Sequence, residues 1–292
     1  MGMEIGHTME TVATPFHQRT TILCSDALHV ELLRCPLGRS AMESYTAARQ
    51  VLFPLGGAFH WQIGRTTIHV DANQVVFLES DEVSRDSYPI PTVVSCLVMT
   101  LSDAAAEQLW RTRSADVGGP FRTRTALASS ALLARAAWYA VAARDRGAAD
   151  PLVWEEQAIE LLGMATACAQ RRTPGALSPS AATRLAARAK RLLDDRGRPL
   201  GLAAIAARLG VSPAYLTDAF RRAEGVPLVR YQLRLRLARA LRELPHAGDL
   251  TRLALDLGFA SHSHFSTAFR AAVGVTPSQY RARARGGMQL PA

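Results

Sequence analysis

The stretch Leu253–Arg281 reads LALDLGFASHSHFSTAFRAAVGVTPSQYR, and an earlier stretch, Ala206–Tyr231, reads AARLGVSPAYLTDAFRRAEGVPLVRY. Three landmarks of the earlier stretch recur at a constant offset of 49 residues (269 − 220, 274 − 225, 280 − 231): Phe220 and Phe269, Gly225 and Gly274, Tyr231 and Tyr280. The two Leu-Gly pairs are offset by 48 (258 − 210), which gives the second copy one additional residue in its turn. The chain therefore contains the same unit twice.

Each copy has the signals of a helix-turn-helix. In the first copy, the spacing predicts a helix over Leu202–Leu209 that ends at Gly210, followed by a second helix with Ser212 as its N-cap and Pro213 at its first position. Leu216, Phe220 and Ala223 have the spacing of a buried stripe, and so do their equivalents Phe265, Phe269 and Ala272. The two units are placed at about residues 202–223 and 250–273.

The remaining faces of the two second helices are polar and are predicted to be exposed. In a helix-turn-helix the second helix enters the major groove, and its outer face meets base edges and phosphates. The predicted outer positions are Ala214, Thr217, Asp218 and Arg221 in the first copy, and Ser263, Ser266, Thr267 and Arg270 in the second, with His262 near its start. Asp218 has two interpretations: it could accept from a cytosine amino group, or it could pair with Arg221 or Arg222.

An arginine-rich helix is predicted between the two units, over Val229–Leu244. It would be about 24 Å long at 1.5 Å per residue. Such a helix can hold two recognition helices about 34 Å apart, which is one turn of DNA. We therefore expect both units to lie on one side of a duplex.

The charge of the chain is divided unevenly. Residues 1–172 contain 15 Arg and 18 Asp or Glu, a balance of −3, whereas residues 173–292 contain 19 Lys or Arg and 7 Asp or Glu, a balance of +12. The two sum to the net charge of +9. A strongly basic domain attracts polyanions through counterion release, which favours a nucleic-acid partner for the repeat region.

The N-terminal half alternates like β-strands separated by turn residues, and it predicts a small antiparallel barrel or sandwich over residues 20–101. The predicted strands are Leu28–Cys35, Arg49–Leu55, Ala58–Ile63, Thr66–Val70, Gln74–Leu78 and Thr92–Leu101. Phe59, Trp61 and Ile63 alternate onto one face and are interpreted as core. The fold class is thus α+β, with a β-rich N-terminal domain, trailing helices and an all-α C-terminal domain.

Around this domain the sequence predicts four further regions. Residues 1–19 are expected to be disordered, and residues 102–172 to form a helical connector or dimerisation region. Residues 173–180 carry the Pro, Gly and Ser of a linker, and the tandem unit occupies 181–286. The helices are predicted at Asp103–Trp110, Ala126–Arg144, Pro151–Arg172 and Ala181–Asp194.

The tandem unit resembles the AraC/XylS family of bacterial transcription regulators over about Ala181 to Arg285. The Leu253–Arg281 stretch has the family's Gly-Phe, Ser-x-Phe, Phe-Arg, Gly-x-x-Pro and Tyr-Arg elements in order. The N-terminal half is similar to the cupin-like domain of many members, through Val51–Gly56, Phe59–Trp61 and Asp71–Phe77. The resemblance implies a domain that senses a small molecule, dimerises, or does both.

The resemblance also implies the contacts to double-stranded DNA. Base contacts map onto Ala214, Thr217, Asp218, His262, Ser263, Ser266 and Thr267, and phosphate contacts onto Arg221, Arg222 and Arg270. The first copy departs from the family because Ala214 offers no hydrogen bond and Asp218 is anionic, so we expect it to discriminate less between sequences. RNA polymerase is the partner expected by family analogy, for an activator or a repressor that acts as a homodimer.

Two other classes of function, a cupin enzyme and a non-specific architectural protein, fit the sequence less well than a sequence-specific regulator. A cupin enzyme needs metal ligands, for which His29, His60 and His69 are the candidates, but His60-Trp-Gln lacks the second histidine of the cupin pair. The three are interpreted as surface or pocket histidines. His262 and His264 are two residues apart on a helix and do not face together. A non-specific architectural protein would bind all sequences alike. We expect neither a metal nor another cofactor, and no enzymatic activity.

The sequence predicts a cytoplasmic protein. The sequence has no apolar run long enough to span a bilayer, and Met1–Arg19 does not have the pattern of a secretory signal. The four cysteines, Cys24, Cys35, Cys96 and Cys168, have no CxxC spacing and are expected to be buried free thiols in a reducing cytoplasm.

Overall fold

The computed structural model describes residues 18–35, 42–88, 93–111, 121, 123–143, 151–170, 181–193 and 200–286. The strands of the described part are β1 Gln18–Cys24, β2 Leu28–Cys35, β3 Met42–Thr46, β4 Gln50–Gly56, β5 Ala58–Ile63, β6 Thr66–Asp71, β7 Gln74–Leu78, β8 Glu82–Ser87, β9 Val94–Leu101 and β10 Thr125–Leu127. The predicted N-terminal antiparallel domain is confirmed, because every strand pairing is antiparallel.

These strands form two sheets. One has the order β1-β2-β9-β4-β7-β10, and the other has the order β3-β8-β5-β6. Strand β9 shows how they are arranged, because Val94, Cys96 and Val98 lie in a core with Phe59 and Trp61 of β5. The alternate residues of β9, Leu97, Met99 and Leu101, lie in a different core, formed with helices. The six-stranded sheet is thus buried on both faces.

Four strands are additional to the predicted ones: β1, β3, β8 and β10. Strands β3 and β8 read MESYT and EVSRDS, so they lack the apolar alternation that indicates a strand. Strand β10 corrects the prediction that a helix starts at Ala126, because Thr125–Leu127 pairs with Gln74–Val76 of β7. Strand β1 begins inside the segment expected to be disordered, at Gln18 and Arg19; residues 1–17 lie outside the described residues.

The helices of the described part are α1 Asp103–Arg111, α2 Ser130–Ala142, α3 Pro151–Gln170, α4 Ala181–Leu193, α5 Leu202–Leu209, α6 Pro213–Glu224, α7 Leu228–Glu243, α8 Leu250–Asp256, α9 His262–Val273 and α10 Pro277–Gly286. The all-α character of the C-terminal part is confirmed, and α5 has the predicted bounds. The predicted linker 173–180 lies outside the described residues. The prediction of four buried free thiols holds for Cys35, Cys96 and Cys168 but is wrong for Cys24, which is free but exposed because it ends the edge strand β1. None of the described helices is both long and apolar enough to cross a membrane.

The apolar cores do not follow the division of the sequence at the predicted linker. The core on the outer face of the six-stranded sheet contains Leu132 and Trp138 of α2 together with Phe265 and Phe269 of α9. A separate core holds α4, α5, α6 and the start of α7, including Phe220 and Tyr231. The second copy of the repeat is therefore built into the N-terminal domain's own core, whereas the first copy has a core of its own.

Candidate nucleic-acid interface

The first helix-turn-helix unit consists of α5 and α6 and the turn between them. Gly210 closes α5 with φ +71°, in the left-handed region that favours glycine, and the Val211 N–H donates to the Ala206 carbonyl over 3.0 Å. The Ser212 hydroxyl accepts from the Tyr215 N–H over 3.2 Å. The predicted N-cap at Ser212 and the proline at the first helical position are both confirmed.

The second unit consists of α8 and α9 and repeats this design with a longer turn. Gly258 has φ +80°, and the Ser261 hydroxyl accepts from the His264 N–H over 3.1 Å. The N-cap serine follows the turn glycine by three residues here (258 to 261) but by two in the first unit (210 to 212). The additional residue predicted for the second turn is thereby confirmed.

The buried faces of α6 and α9 match the predicted stripes. Leu216 and Phe220 are fully buried, as are Phe265 and Phe269, while the smaller Ala223 and Ala272 are half-buried. The predicted DNA-facing positions are all at least partly accessible. Exposed residues are Ala214, Arg221, Arg222, Ser263, Thr267 and Arg270, and half-buried ones are Thr217, Asp218, His262 and Ser266.

Hydrogen bonds distinguish two groups among these side chains. The Thr217 hydroxyl donates to the Pro213 carbonyl over 2.9 Å, and the Ser266 hydroxyl lies 3.4 Å from His262 Nε2. Within the described residues, no hydrogen bond or ion pair engages the side chains of Ser263, Thr267 and Arg270. The second recognition helix therefore presents two hydroxyls and one guanidinium that are available to a ligand.

Asp218 is engaged within the first recognition helix. Its carboxylate lies 2.7 Å from Arg222 Nη2 and 3.7 Å from Arg221 Nη2. Of the two interpretations of Asp218, the structure has the ion pair. Since one carboxylate faces both arginines, it partly offsets the positive charge that they present to a ligand.

Several C-terminal arginines donate hydrogen bonds to backbone carbonyls. Arg236 of α7 donates to the Gly258 carbonyl in the second turn over 3.1 Å, and Arg281 and Arg285 of α10 donate to the Ala247 carbonyl. Burial lowers the pKa of the Arg234, Arg236 and Arg242 guanidinium groups of α7. Part of the positive charge of this domain thus stabilises the fold.

Sequence reasoning missed one pair of accessible residues. Tyr215 of α6 and His264 of α9 are equivalent in the repeat (264 − 215 is again 49), and both are exposed at the first turn of a recognition helix. The His264 ring packs edge-on against Phe259, with the ring centroids 5.5 Å apart. The constant offset of the repeat could have drawn attention to them as a pair.

The histidines of the N-terminal domain do not build a metal centre in the described part of the chain. The His60 and His69 rings lie side by side on β5 and β6, with centroids 5.4 Å apart. Burial and the neighbouring His69 and Arg191 lower the pKa of His60. No group of three histidine, cysteine or acidic side chains converges there or elsewhere among the described residues.

Comparison with known proteins bears on the C-terminal part of the chain. Residues 205–283 match the family described as helix-turn-helix domain. Over 91 residues, or 31% of this chain, the sequence is 37% identical to the HTH-type transcriptional activator RhaS of Escherichia fergusonii, and the match covers 33% of that protein. A crystal structure of an AraC-type transcriptional regulator from Chromobacterium violaceum is 31% identical; the match covers 35% of this chain and 92% of that one, with a TM-score of 0.32. The C-terminal region is an AraC-type helix-turn-helix domain.

The chain is also similar to part of a second regulator. It is 36% identical over 87 residues to the HTH-type transcriptional regulator GlxA of Rhizobium meliloti, and the match covers 30% of this chain and 27% of that protein. The chain thus matches about a third or less of the length of these curated relatives.

Proposed function

We propose that this chain is a sequence-specific DNA-binding regulator of transcription that reads two adjacent major-groove segments with α6 and α9. One observation carries the proposal: the two recognition helices present accessible polar faces at equivalent positions of the repeat. The proposed base contacts are Ala214, Thr217, Asp218, His262, Ser263, Ser266 and Thr267. The proposed phosphate contacts are Arg221, Arg222 and Arg270.

The connecting helix supports simultaneous reading of two segments. Helix α7 has 16 residues and is therefore about 24 Å long. Its Arg236 holds the turn of the second unit, and its Tyr231 belongs to the core of the first. Successive major-groove segments on one face of B-DNA are about 34 Å apart. A helix of this length, with a recognition helix beyond each end, is compatible with that spacing.

Selection of bound sequences from a random DNA pool at two salt concentrations tests the proposal. We expect enrichment of two short blocks about one helical turn, or roughly 10 base pairs, apart. If no sequence is enriched and affinity falls uniformly as salt rises, the chain binds by charge alone and the proposal is wrong.

Thr267→Ala is expected to weaken binding at particular base positions of the second block. Its hydroxyl is exposed and, within the described residues, makes no hydrogen bond, so we propose that it meets a base edge. A good contact of this kind discriminates by about 1–3 kcal/mol. Arg270→Ala, on the same helix, is the matched control. It should weaken binding to all sequences alike and lower the salt slope by about 1. Titration of both variants against single-base variants of the operator measures this, and equal, sequence-independent losses would refute the assignment of α9.

Asp218→Asn is expected to strengthen binding to all sequences. The substitution removes the carboxylate that now pairs with Arg222 and Arg221, so both guanidinium groups become available to phosphates. We expect roughly a twofold to fivefold gain in affinity and a steeper salt slope, in keeping with the modest strength of exposed ion pairs. Because Asp218 is also a proposed base contact, the variant should in addition lose preference at one base position of the first block. A variant with no general gain in affinity would show that the carboxylate does not restrain the two arginines.

A cavity supports the proposal that a small-molecule effector modulates this protein. It has a volume of about 940 Å³ and lies between the six-stranded sheet and α7, with Leu32, Leu55, Ala140 and Leu235 among its apolar lining and Arg34 and Arg242 among its charged lining. Ligand sites of proteins are commonly of this size and mixed character. Because α7 forms one wall, a ligand here would contact the helix that joins the two units.

Other parts of the proposal concern assembly and partners. Leu152 and Ile159 are seven residues apart on one face of α3 and are 70% and 48% exposed, which supports a homodimer through this helix. RNA polymerase is proposed as the partner in transcription, and the cytoplasm as the location. We propose no enzymatic activity for the chain, since the site that we describe is a binding surface.

A further inference from the structure

The two helix-turn-helix units are attached to the N-terminal domain in different ways. The second unit shares an apolar core with the N-terminal domain, in which the Trp138 and Tyr280 rings pack edge to face with centroids 5.8 Å apart. The first unit has a separate core, against which Leu127 of the N-terminal domain packs as a partly buried side chain. The second unit is thus joined by an extensive hydrophobic interface, and the first is joined by a smaller one.

Polar groups make the closest contact between the first unit and the N-terminal domain. The Tyr231 hydroxyl donates to Asp71 Oδ2 over 2.6 Å, and Asn73 Nδ2 donates to the Tyr231 carbonyl over 3.1 Å. All three residues are buried, with Asp71, Asn73 and Tyr231 no more than 1% exposed. We call Asp71, Asn73 and Tyr231 the interdomain cluster.

The N-terminal side of the interdomain cluster is held in place by its own turn. Asp71 Oδ1 accepts from the Asn73 N–H over 2.8 Å, and Gln74 Oε1 accepts from the Asp71 N–H over 3.2 Å. The second Asp71 oxygen, Oδ2, accepts the hydrogen bond from the Tyr231 hydroxyl of the first unit, and His69 Nε2 of the N-terminal domain lies 3.9 Å from it. Because a buried carboxylate is costly without hydrogen-bond donors, the Tyr231 hydroxyl stabilises the docked arrangement of the two domains.

The repeat supplies a natural comparison for this contact. Tyr280 is the equivalent of Tyr231 in the second unit, and its hydroxyl is buried with no hydrogen-bond partner in the described part of the chain. Both rings pack edge-on against the equivalent phenylalanine, Phe220 or Phe269, with centroids 5.3 Å and 5.6 Å apart. The two tyrosines therefore share their role in the repeat, and only the Tyr231 hydroxyl bonds to the N-terminal domain.

We propose that Asp71 and Asn73 are positioning residues for DNA reading. Acting through Tyr231, they hold the first unit at a fixed place on the N-terminal domain, to which the second unit is already joined by the shared core. The interdomain cluster thereby restricts the spacing between DNA blocks that α6 and α9 can bind together. This inference rests on the proposed function, and it assigns to the N-terminal domain a part in the choice of operator.

The test measures the spacing preference of the full chain. Duplexes carry the two selected blocks at their selected spacing, or with one base pair inserted, and a further duplex carries the second block alone. One inserted base pair rotates the blocks by about 35° relative to each other, so we expect the wild-type chain to bind about tenfold or more weakly. Tyr231→Phe removes only the hydroxyl, and for this variant the inserted base pair should weaken binding by about threefold or less. Its affinity for the second block alone should equal that of the wild-type chain.

Two variants accompany Tyr231→Phe. Tyr280→Phe makes the same chemical change at the equivalent position and should keep the wild-type spacing penalty. Asn73→Ala removes the hydrogen bond from Asn73 Nδ2 to the Tyr231 carbonyl and keeps the Asn73 backbone N–H that donates to Asp71. Like Tyr231→Phe, it should reduce the loss of affinity caused by the inserted base pair. It provides the result if the tyrosine variant does not fold.

The outcomes separate this inference from the function on which it rests. If both Tyr231→Phe and Asn73→Ala lose as much affinity as the wild-type chain when one base pair is inserted, the positioning role is wrong and the proposed function is unaffected. An equal loss of the penalty in Tyr280→Phe also overturns it, because the effect would not depend on the interdomain hydrogen bond. A wild-type chain that binds no two-block duplex overturns the proposed function, and the positioning role with it.

Discussion

Phe269→Ala is expected to destabilise the N-terminal domain as well as the unit to which Phe269 belongs. The side chain is fully buried in the core that the second unit shares with the six-stranded sheet and α2. Truncating a buried phenylalanine to alanine removes apolar contacts and leaves a cavity, at a cost of about 3–5 kcal/mol. Because the core is shared, that loss should lower the unfolding free energy of both parts together.

The equivalent substitution in the first unit, Phe220→Ala, is the matched control. Phe220 is as completely buried as Phe269 but lies in the separate core of α4, α5 and α6. Its loss should unfold the first unit locally and spare the rest. The repeat position, the residue type and the burial are the same in both variants, so they differ mainly in the core that is damaged.

The tryptophans allow the two variants to be told apart. All four tryptophans, Trp61, Trp110, Trp138 and Trp154, precede the tandem unit in the sequence. In urea unfolding, Phe269→Ala should shift the tryptophan fluorescence midpoint, whereas Phe220→Ala should change the circular dichroism of the helices and leave that midpoint in place. Equal fluorescence shifts in the two variants would contradict the division into two cores.

Trp138→Ala is expected to loosen the attachment of the second unit to the N-terminal domain. Trp138 is 4% exposed on α2 and packs against Tyr280, so its truncation should cost about 3–5 kcal/mol of unfolding free energy. Without the Trp138 side chain, the second unit is less firmly attached to the N-terminal domain in the folded state. The free energy of ordering it is then spent when DNA binds, which lowers the affinity. We expect roughly tenfold weaker binding to two-block DNA at a temperature below unfolding.

Trp61→Ala serves as the control for Trp138→Ala. Trp61 is 2% exposed and lies between the two sheets, in the core that contains no residue of either helix-turn-helix unit. The Trp61→Ala substitution should lower the free energy of unfolding by a similar amount and leave the DNA affinity of the folded chain unchanged. If the two variants weaken DNA binding equally, the contact between Trp138 and Tyr280 has no part in holding the second unit.

Local signals explain why the tandem units could be predicted closely. Helix α5 has its predicted bounds because Gly210 ends it and Ser212 caps the next helix, and both effects act within a few residues. The faces of α6 and α9 follow from the 3.6-residue period, which separates Phe220 from Asp218 as it separates Phe269 from Thr267. Their positions as DNA contacts stay a prediction.

The N-terminal domain was predicted less completely because its signals are not local. Strands β3 and β8 are polar, and they form because each pairs with a neighbour far along the chain, as Ser44 pairs with Ser84. Thr125–Leu127 has no strand pattern of its own, and it is extended because β7 offers it an open edge. Tertiary context decides such segments, since β-propensity is mostly a matter of the surroundings.

The sequence by itself determined the two helix-turn-helix units, their capping residues, the longer second turn and the polar faces of the recognition helices, because caps, turns and helical periodicity depend on residues within one or two turns of each other. Only the tertiary structure decided which core each unit joins, which arginines bind backbone carbonyls, and that Tyr231 bonds to Asp71, 160 residues away in the chain. Those outcomes depend on how buried polar groups and apolar surfaces pack across domains. Such contacts join residues far apart in the chain, so the local spacing of residues does not predict them.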